Sequence, residues 1–372
     1  MKWSLAMIAR NNEETIGQTL ESVKSFIDEI IVVDTGSTDN TISVAEAHGA
    51  TVGHFEWIDD FASARNYSFS LATGDWIMWL DTGDVIPEDA QKAFLALKHS
   101  PKLNSPDSDI EMVWTPLNRG IDENGVVVHN FLTSRVVRRS ANPLWESPIH
   151  EYLVTDNLVA YADEKAYVND PLGFGQVATD RNIKILSRLI AEGDRSARTL
   201  FYYANELRDL KRYDESIEAF NDFLTIGDYS WFYYHALLSI SQCHRELGNV
   251  NGTAEPLLQA IYFDPTRAEA WVWLAEGLYS AGEWARAIPF YRASVGLSEP
   301  RDGSFTNSTC YGFSPLSRLG YCYTMIGDEK AGLEYFRAAL KVAPPHLKDH
   351  LKQVIHEVKT GEWKLNDDLK EV

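Results

Sequence analysis

The sequence predicts two parts of different class: an α/β N-terminal domain on a doubly wound, mainly parallel sheet, and an all-α solenoid of paired helices after it. Three observations predict this. Short β-branched runs alternate with amphipathic stretches over roughly the first hundred residues. Polar clusters fall where those runs end. From about Ala197, small and large apolar residues recur with a period near 34. A chain of 372 residues suits two or three domains. The expected division is residues 1–165 for the α/β domain and 166–195 for a connector and linking helix. Residues 196–345 are expected to form the repeats, and 346–372 a closing helix and tail.

Taken in order, residues 4–8 are a short apolar run and predict the first strand. Residues 13–26 predict a helix, with Ile16, Leu20 and Val23 at helical spacing. Residues 29–34 are apolar on both faces, as in a buried parallel strand. The next segment, Thr35-Gly36-Ser37-Thr38-Asp39, is a turn rich in helix caps. A helix over 40–48, a strand near 51–55 and a helix over 61–71 follow. Residues 75–80 predict another buried strand, and Pro87 suits the first turn of a further helix. In such a sheet ligands bind beyond the carboxyl ends of the strands, where strand order switches. The clusters Arg10-Asn11-Asn12-Glu13, Asp34-Thr35-Gly36-Ser37 and Asp81-Thr82-Gly83-Asp84 would converge on that rim. The first βα turn has no glycine, against a dinucleotide fold, and no Gly-Lys pair exists for a P-loop. Residues 152–180 predict strands and a Pro/Gly loop, and 180–192 a linking helix.

In the second half the helix-to-helix turns align on Lys211, Gly248, Gly282 and Gly327. Seven residues before each lie Ala204, Ser241, Ala275 and Gly320, all small. Nine after each lie Phe220, Leu257, Tyr291 and Phe336, all large and apolar. The steps of 37, 34 and 45 residues imply two insertions, the longer over 298–310. This pattern resembles tetratricopeptide repeats. It implies three to four repeats, a surface loop at the long insertion and a concave face for a peptide or a second copy.

Hydrophobic residues at 45% and charged residues at 24% are globular values. A net charge of −20 argues against broad contact with nucleic acid or an anionic membrane, both of which need Lys and Arg against phosphate. No leader pattern or apolar run of membrane-spanning length is read. Three cysteines (Cys243, Cys310, Cys322) are too few and too late for a disulfide framework. A cytoplasmic protein is expected.

Four segments in order resemble family 2 glycosyltransferases of the GT-A fold, over roughly residues 3–155. They are Met7-Ile8-Ala9-Arg10-Asn11-Asn12-Glu13-Glu14; Ile31-Val32-Val33-Asp34-Thr35-Gly36-Ser37-Thr38-Asp39-Asn40-Thr41; Trp57-Ile58-Asp59-Asp60-Phe61-Ala62-Ser63-Ala64-Arg65-Asn66; and Ala72-Thr73-Gly74-Asp75-Trp76-Ile77-Met78-Trp79-Leu80-Asp81. A further segment, Trp145-Glu146-Ser147-Pro148-Ile149-His150-Glu151, looks like the His-Glu element of members that carry helical repeats.

The resemblance implies a nucleotide-diphosphate sugar donor, most commonly a UDP-sugar, a protein, peptide or glycan acceptor, and inversion at the transferred carbon. It implies that Asp34 binds the base or ribose, that the Ala9 backbone lies against the base with Asn11 beside it, and that Arg65 sits near the nucleotide. Asp81 would open the Asp-x-Asp element for ribose and metal, with His150 as a further metal or diphosphate contact and Mn²⁺ or Mg²⁺ as the ion; Asp84 would join the metal contacts through a changed loop. Glu151 would be the base that deprotonates the acceptor. A diphosphate leaving group gathers negative charge as its bond to the sugar breaks, which suits a divalent cation. A positioned carboxylate suits proton removal. The sequence departs from the family at Gly83, where the second acid usually stands; Asp84 comes one residue late. That departure keeps open a second reading, a degenerate transferase acting as a scaffold through its repeats. The same residues also have plainer readings: Asp34 and Asp81 as caps, Asp59 and Asp60 as caps of the helix near Phe61, His150 and Glu151 as loop and strand polar groups, Trp145 as core. The repeats suit acceptor binding or a homodimer.

Overall fold

The computed structural model describes residues 1–121, 127–171, 180–227, 230–300, 304 and 306–363. The chain divides into two compact units, one of residues 1–185 and one of 186–300 with the chain from 306 onward.

The first unit begins β1 (Trp3–Ala9), α1 (Ile16–Glu21), β2 (Glu29–Asp34), α2 (Thr41–Ala47), β3 (Thr51–His54), α3 (Phe61–Ser70), β4 (Trp76–Trp79) and α4 (Glu88–Lys98). It continues with α5 (Pro101–Asn104), β5 (Met112–Ile121), β6 (Val127–Arg138), β7 (Leu144–Glu146), β8 (Tyr152–Val154), β9 (Ala160–Ala162) and β10 (Val168–Asp170). The main sheet runs β10-β5-β6-β4-β1-β2-β3, with β9 also paired to β5, and β7 and β8 form a separate antiparallel ribbon. β1 pairs in parallel with β2 and β4, and β2 with β3. β6 runs antiparallel to both β4 and β5, so the sheet is mixed, with parallel pairs in the majority. Sequence order reverses at β1, between β2 and β4, which opens a crevice at their carboxyl ends.

The strands are apolar on both faces because both faces are covered. Leu5, Met7 and Val32 pack on one face with Ile16, Leu20, Phe94 and Leu97. Ala6, Ile31, Val33 and Ile77 pack on the other with Ala62, Phe69 and Trp145. The helix expected over 13–26 is shorter. After Glu21 the bonds tighten to i→i−3, Val23 to Leu20, Lys24 to Glu21 and Phe26 to Val23, so that stretch closes as turns.

After α6 (Asp180–Ala191), the second unit is built from helix pairs α7 (Ala197–Asp209) and α8 (Tyr213–Thr225), α9 (Trp231–Glu246) and α10 (Val250–Phe263), α11 (Ala268–Ser280) and α12 (Trp284–Ser294), and α13 (Phe313–Met325) and α14 (Glu329–Val342), closed by α15 (Lys348–Thr360). Lys211, Gly248, Gly282 and Gly327, with φ of 60°, 71°, 74° and 85°, turn each first helix into its second. Ala204, Ala275, Phe220, Tyr291 and Phe336 are all fully buried between the helices. The thiols of Cys243, Cys310 and Cys322 are buried and unbridged. Residues 172–179 of the Pro/Gly loop expected after Asp170, and residues 301–303 and 305 of the 298–310 insertion, lie outside the described residues; the insertion ends in a short 3-10 turn at Ser308–Cys310. Among the described residues no helix is long and apolar enough to cross a membrane.

Candidate active site

The carboxyl ends of β1 and β2 are in register, Ala9 beside Asp34. Asp34 is buried, and its carboxylate accepts from the backbone N–H groups of Gly36 (3.0 Å) and Ser37 (3.1 and 3.2 Å). These bonds shape the turn that ends β2. The Ala9 carbonyl accepts from both the backbone N–H (3.0 Å) and the hydroxyl (3.2 Å) of Thr35. Asn11 takes a left-handed φ of 53°; its N–H donates to Ser37 Oγ and its Oδ1 accepts from the Thr38 N–H. Asn tolerates that backbone better than most residues. Three of the expected donor residues therefore share one rim, welded by the Thr35–Thr38 turn.

α3 starts at Asp60, which caps it by accepting from the Ser63 N–H at 2.9 Å. One turn on, Arg65 is buried at 6% exposure. Its Nε donates to Glu151 Oε1 at 2.6 Å and its Nη2 to Asp81 Oδ1 at 2.7 Å. The guanidinium lies 4.9 Å from the Trp79 ring centre and 5.0 Å from that of Trp145. Burial alone would lower the Arg65 pKa; the charges of Asp81 and Glu151 outweigh it and raise the pKa, so the residue is a permanent cation. Its Nη1 is buried without a hydrogen-bond partner among the described residues. Trp145 is buried, as its core reading expects.

Glu151 reaches Arg65 because the chain turns sharply after β7. Ser147 and His150 take positive φ, 73° and 51°, and the Pro148 carbonyl accepts the first N–H of α3, that of Phe61, at 2.8 Å. The Glu151 side chain keeps 11% of its surface in solvent, against 48% for Asp81.

β4 leads into the turn of residues 81–84. Gly83 has φ 103°, a backbone that an acid in its place would adopt only with strain, and its N–H donates to Thr19 Oγ1. The two acids of this turn face differently. Asp81 is half-exposed; Asp84 is 4% exposed, and its Oδ2 accepts from the Asp81 N–H at 3.1 Å and lies 3.0 Å from Arg135 Nη1. Burial pushes the Asp84 carboxyl up, to about 6, against the pull of Arg135 and with a further push from Asp81. Burial would also raise Asp81, but Arg65 and Arg135 outweigh it and hold that carboxyl below its usual value.

Arg135 carried no signal in the sequence. β5 and β6 slip register between Val113 and Trp114: Val113 faces Val136 and Trp114 faces Ser134, which leaves Arg135 as the extra residue of a β-bulge. Trp79, an apparent strand residue, lies between two cations in the same way. Asp170 falls in β10 and accepts from Arg119 Nε at 2.8 Å.

The structure thus brings Arg65, Asp81 and Glu151 into one bonded unit, with Asp84 behind it. Asp34, Ala9 and Asn11 sit on the neighbouring strand ends. Among the described residues no three His, Cys, Asp or Glu side chains are gathered as metal ligands, and Asp81, Asp84 and His150 do not form such a set. The reason is local: Asp84 is turned inward onto Arg135. What remains is one half-exposed carboxylate, Asp81. That fits an ion of the Mg²⁺ kind, which takes one or two carboxylates and completes its shell from substrate phosphate and water.

Residues 4–104 match the family model described as glycosyl transferase family 2. A TPR repeat-containing protein of Synechococcus elongatus is 38% identical over 162 residues, 44% of this chain and 38% of that protein. An uncharacterized glycosyltransferase of Rickettsia felis is 34% identical over 90 residues, 24% of this chain and 31% of that one. The matches span about a third of the length of these relatives. Among solved structures, that of S. aureus TarS residues 1–349 aligns with 70% of this chain and 91% of its own, at 14% identity and a TM-score of 0.39.

Proposed function

We propose that this chain, whose first unit carries a family 2 glycosyltransferase domain, moves a sugar from a nucleotide-diphosphate donor, a UDP-sugar, to a protein, peptide or glycan acceptor with inversion. The observation that carries the reading is the buried Arg65 fork, which fixes an acid on the donor side, Asp81, and an acid on the acceptor side, Glu151, by two bonds of 2.7 and 2.6 Å. A bidentate guanidinium is rigid, and rigid placement of reacting groups lowers the entropic part of a barrier.

In this reading Asp34, Asn11 and the Ala9 backbone hold the nucleoside at the ends of β1 and β2. Asp81 orients the ribose and diphosphate and would hold the divalent cation, Mn²⁺ or Mg²⁺, which when bound neutralises charge on the departing diphosphate. Glu151 takes the proton of the acceptor as it attacks from the far side of the sugar. Trp79 and Trp145 keep water from Arg65, so its charge acts at low dielectric. The helical repeats bind the acceptor or join two copies of the chain.

The test is calorimetric titration with UDP, GDP and a set of UDP-sugars, with and without Mn²⁺, on wild type and Asp34→Ala. The reading requires binding of one donor, strengthened by the cation, and loss of that binding in the folded variant. No binding by the folded wild type would shift the weight to a scaffold working through its repeats. Unchanged affinity in the variant would remove Asp34 from the site.

A further inference from the structure

Arg135 has no part in the mechanism above, yet it is among the most buried cations of the chain, at 1% exposure. A bulge in β6 delivers it, and bulges next to active sites commonly re-aim a side chain. Its guanidinium lies 4.0 Å from the ring centre of Trp79, the ring that also supports Arg65 at 4.9 Å. Its Nη1 is 3.0 Å from Asp84 Oδ2, and that same oxygen accepts the Asp81 N–H at 3.1 Å. An unbroken chain of contacts therefore runs from Trp79 through Arg135 and Asp84 to the backbone of Asp81.

We propose that Arg135 is a positioning residue for donor binding: by neutralising and anchoring the inward-facing Asp84, it fixes the turn that presents Asp81 to the nucleotide diphosphate. The inference rests on the transferase reading. It accounts for the acid at 84 standing one place later than the usual second acid. In this chain that acid is a strut inside the turn, with its charge met by Arg135. Two other ties hold the same turn. Gly83 N–H donates to Thr19 Oγ1, and Val85 and Asn169 exchange backbone bonds of 2.8 and 2.9 Å. With these in place, loss of Arg135 frees one corner of the turn, the corner bonded to Asp81. Without Arg135, the contact that holds the Asp84 carboxylate in the inward position where it accepts the Asp81 N–H is gone, and the turn loses its anchor at that corner.

The experiment is calorimetry with UDP and Mn²⁺ on wild type, Arg135→Met and Arg135→Lys, with thermal unfolding of each. The expected result is a UDP affinity at least roughly tenfold weaker in Arg135→Met at full binding stoichiometry. In Arg135→Lys, which keeps the cation but not the planar group that lies over the Trp79 ring, the affinity falls between the two. General damage would lower the stoichiometry and leave the affinity of the remaining active protein unchanged, and that outcome overturns the proposal. Affinity in Arg135→Met equal to or tighter than wild type overturns it too, because a released Asp84 would then be serving as a direct cation contact. Should the Met variant fail to fold, the Lys variant decides: wild-type affinity there sinks the inference. No UDP binding by wild type is the separate failure, that of the transferase reading itself.

Discussion

Glu151 and Glu29 show how one residue type serves opposite ends of the same sheet. Glu151 stands at the carboxyl-end rim, bonded to Arg65. Glutamine at this position keeps the oxygen that accepts from Arg65 Nε but cannot take a proton. Glu151→Gln is expected to retain donor affinity and to slow transfer by ~10²–10⁴, the scale of a lost general base; a steady-state assay with wild-type turnover would place the base elsewhere. Glu29 stands at the opposite end, where β2 begins. Burial would raise its carboxyl, but bonds from the Ser4 hydroxyl, the Thr73 N–H and hydroxyl and the Lys2 ammonium outweigh that and bring it from 4.5 to about 2. A depressed folded-state pKa gives stability that is full above the unfolded value and is lost as pH falls through the folded one. Glu29→Gln should therefore cost stability at neutral pH and flatten the loss between about pH 4.5 and pH 2, as urea unfolding at stepped pH would show. Parallel pH curves for the two proteins would contradict it.

At the scale of elements, the solenoid depends on how closely two helices approach. Gly320 on α13 faces Phe336 on α14, and a Cβ at 320 would come within 2.4 Å of that ring. Phe336 is fully buried and packs edge-on to Tyr321 at 4.9 Å, so it has little room to yield. Gly320→Ala is expected to lower stability by ~1–3 kcal/mol, the range for overpacked cores, although alanine is the better helix former. A melting temperature equal to wild type would show that the pair can part. The small-then-large pattern that placed Gly320 opposite Phe336 was legible in the sequence, because a helix pair repeats its contacts every 34 residues or so. The antiparallel insertion of β6 between β4 and β5 was not legible. A strand's side-chain period is the same whichever way it runs, so pairing direction leaves no mark on a single segment.

For the whole molecule, the two units have separate cores: β-sheet packing around Leu5, Phe94 and Trp145 in the first, helix packing around Tyr291, Phe336 and Leu351 in the second. A ligand stabilises only the cooperative unit that holds its site, by about 2.7 kcal/mol at a hundredfold excess over Kd. UDP with Mn²⁺ should thus raise the unfolding transition of residues 1–185 and leave that of the solenoid in place when followed by scanning calorimetry. A shift of the solenoid transition alone would move the nucleotide site out of the first unit.

The sequence by itself determined the class of both units, the strands that lead to Ala9, Asp34 and Asp81, the repeat register through Gly248, Gly282 and Gly327, and a family resemblance over roughly residues 3–155, of which the family 2 model matches 4–104. These features are local: periodicity, capping and turn chemistry act over a few residues, so one segment is enough to read them. Only the tertiary structure decided that Arg65 joins Asp81 to Glu151, that Asp84 faces inward, and that a slipped register brings Arg135 to it. These contacts span up to 86 residues of chain. What draws the groups together is the high cost of leaving any of the charges buried and unpaired. That cost belongs to the folded interior and is written in no single stretch of sequence.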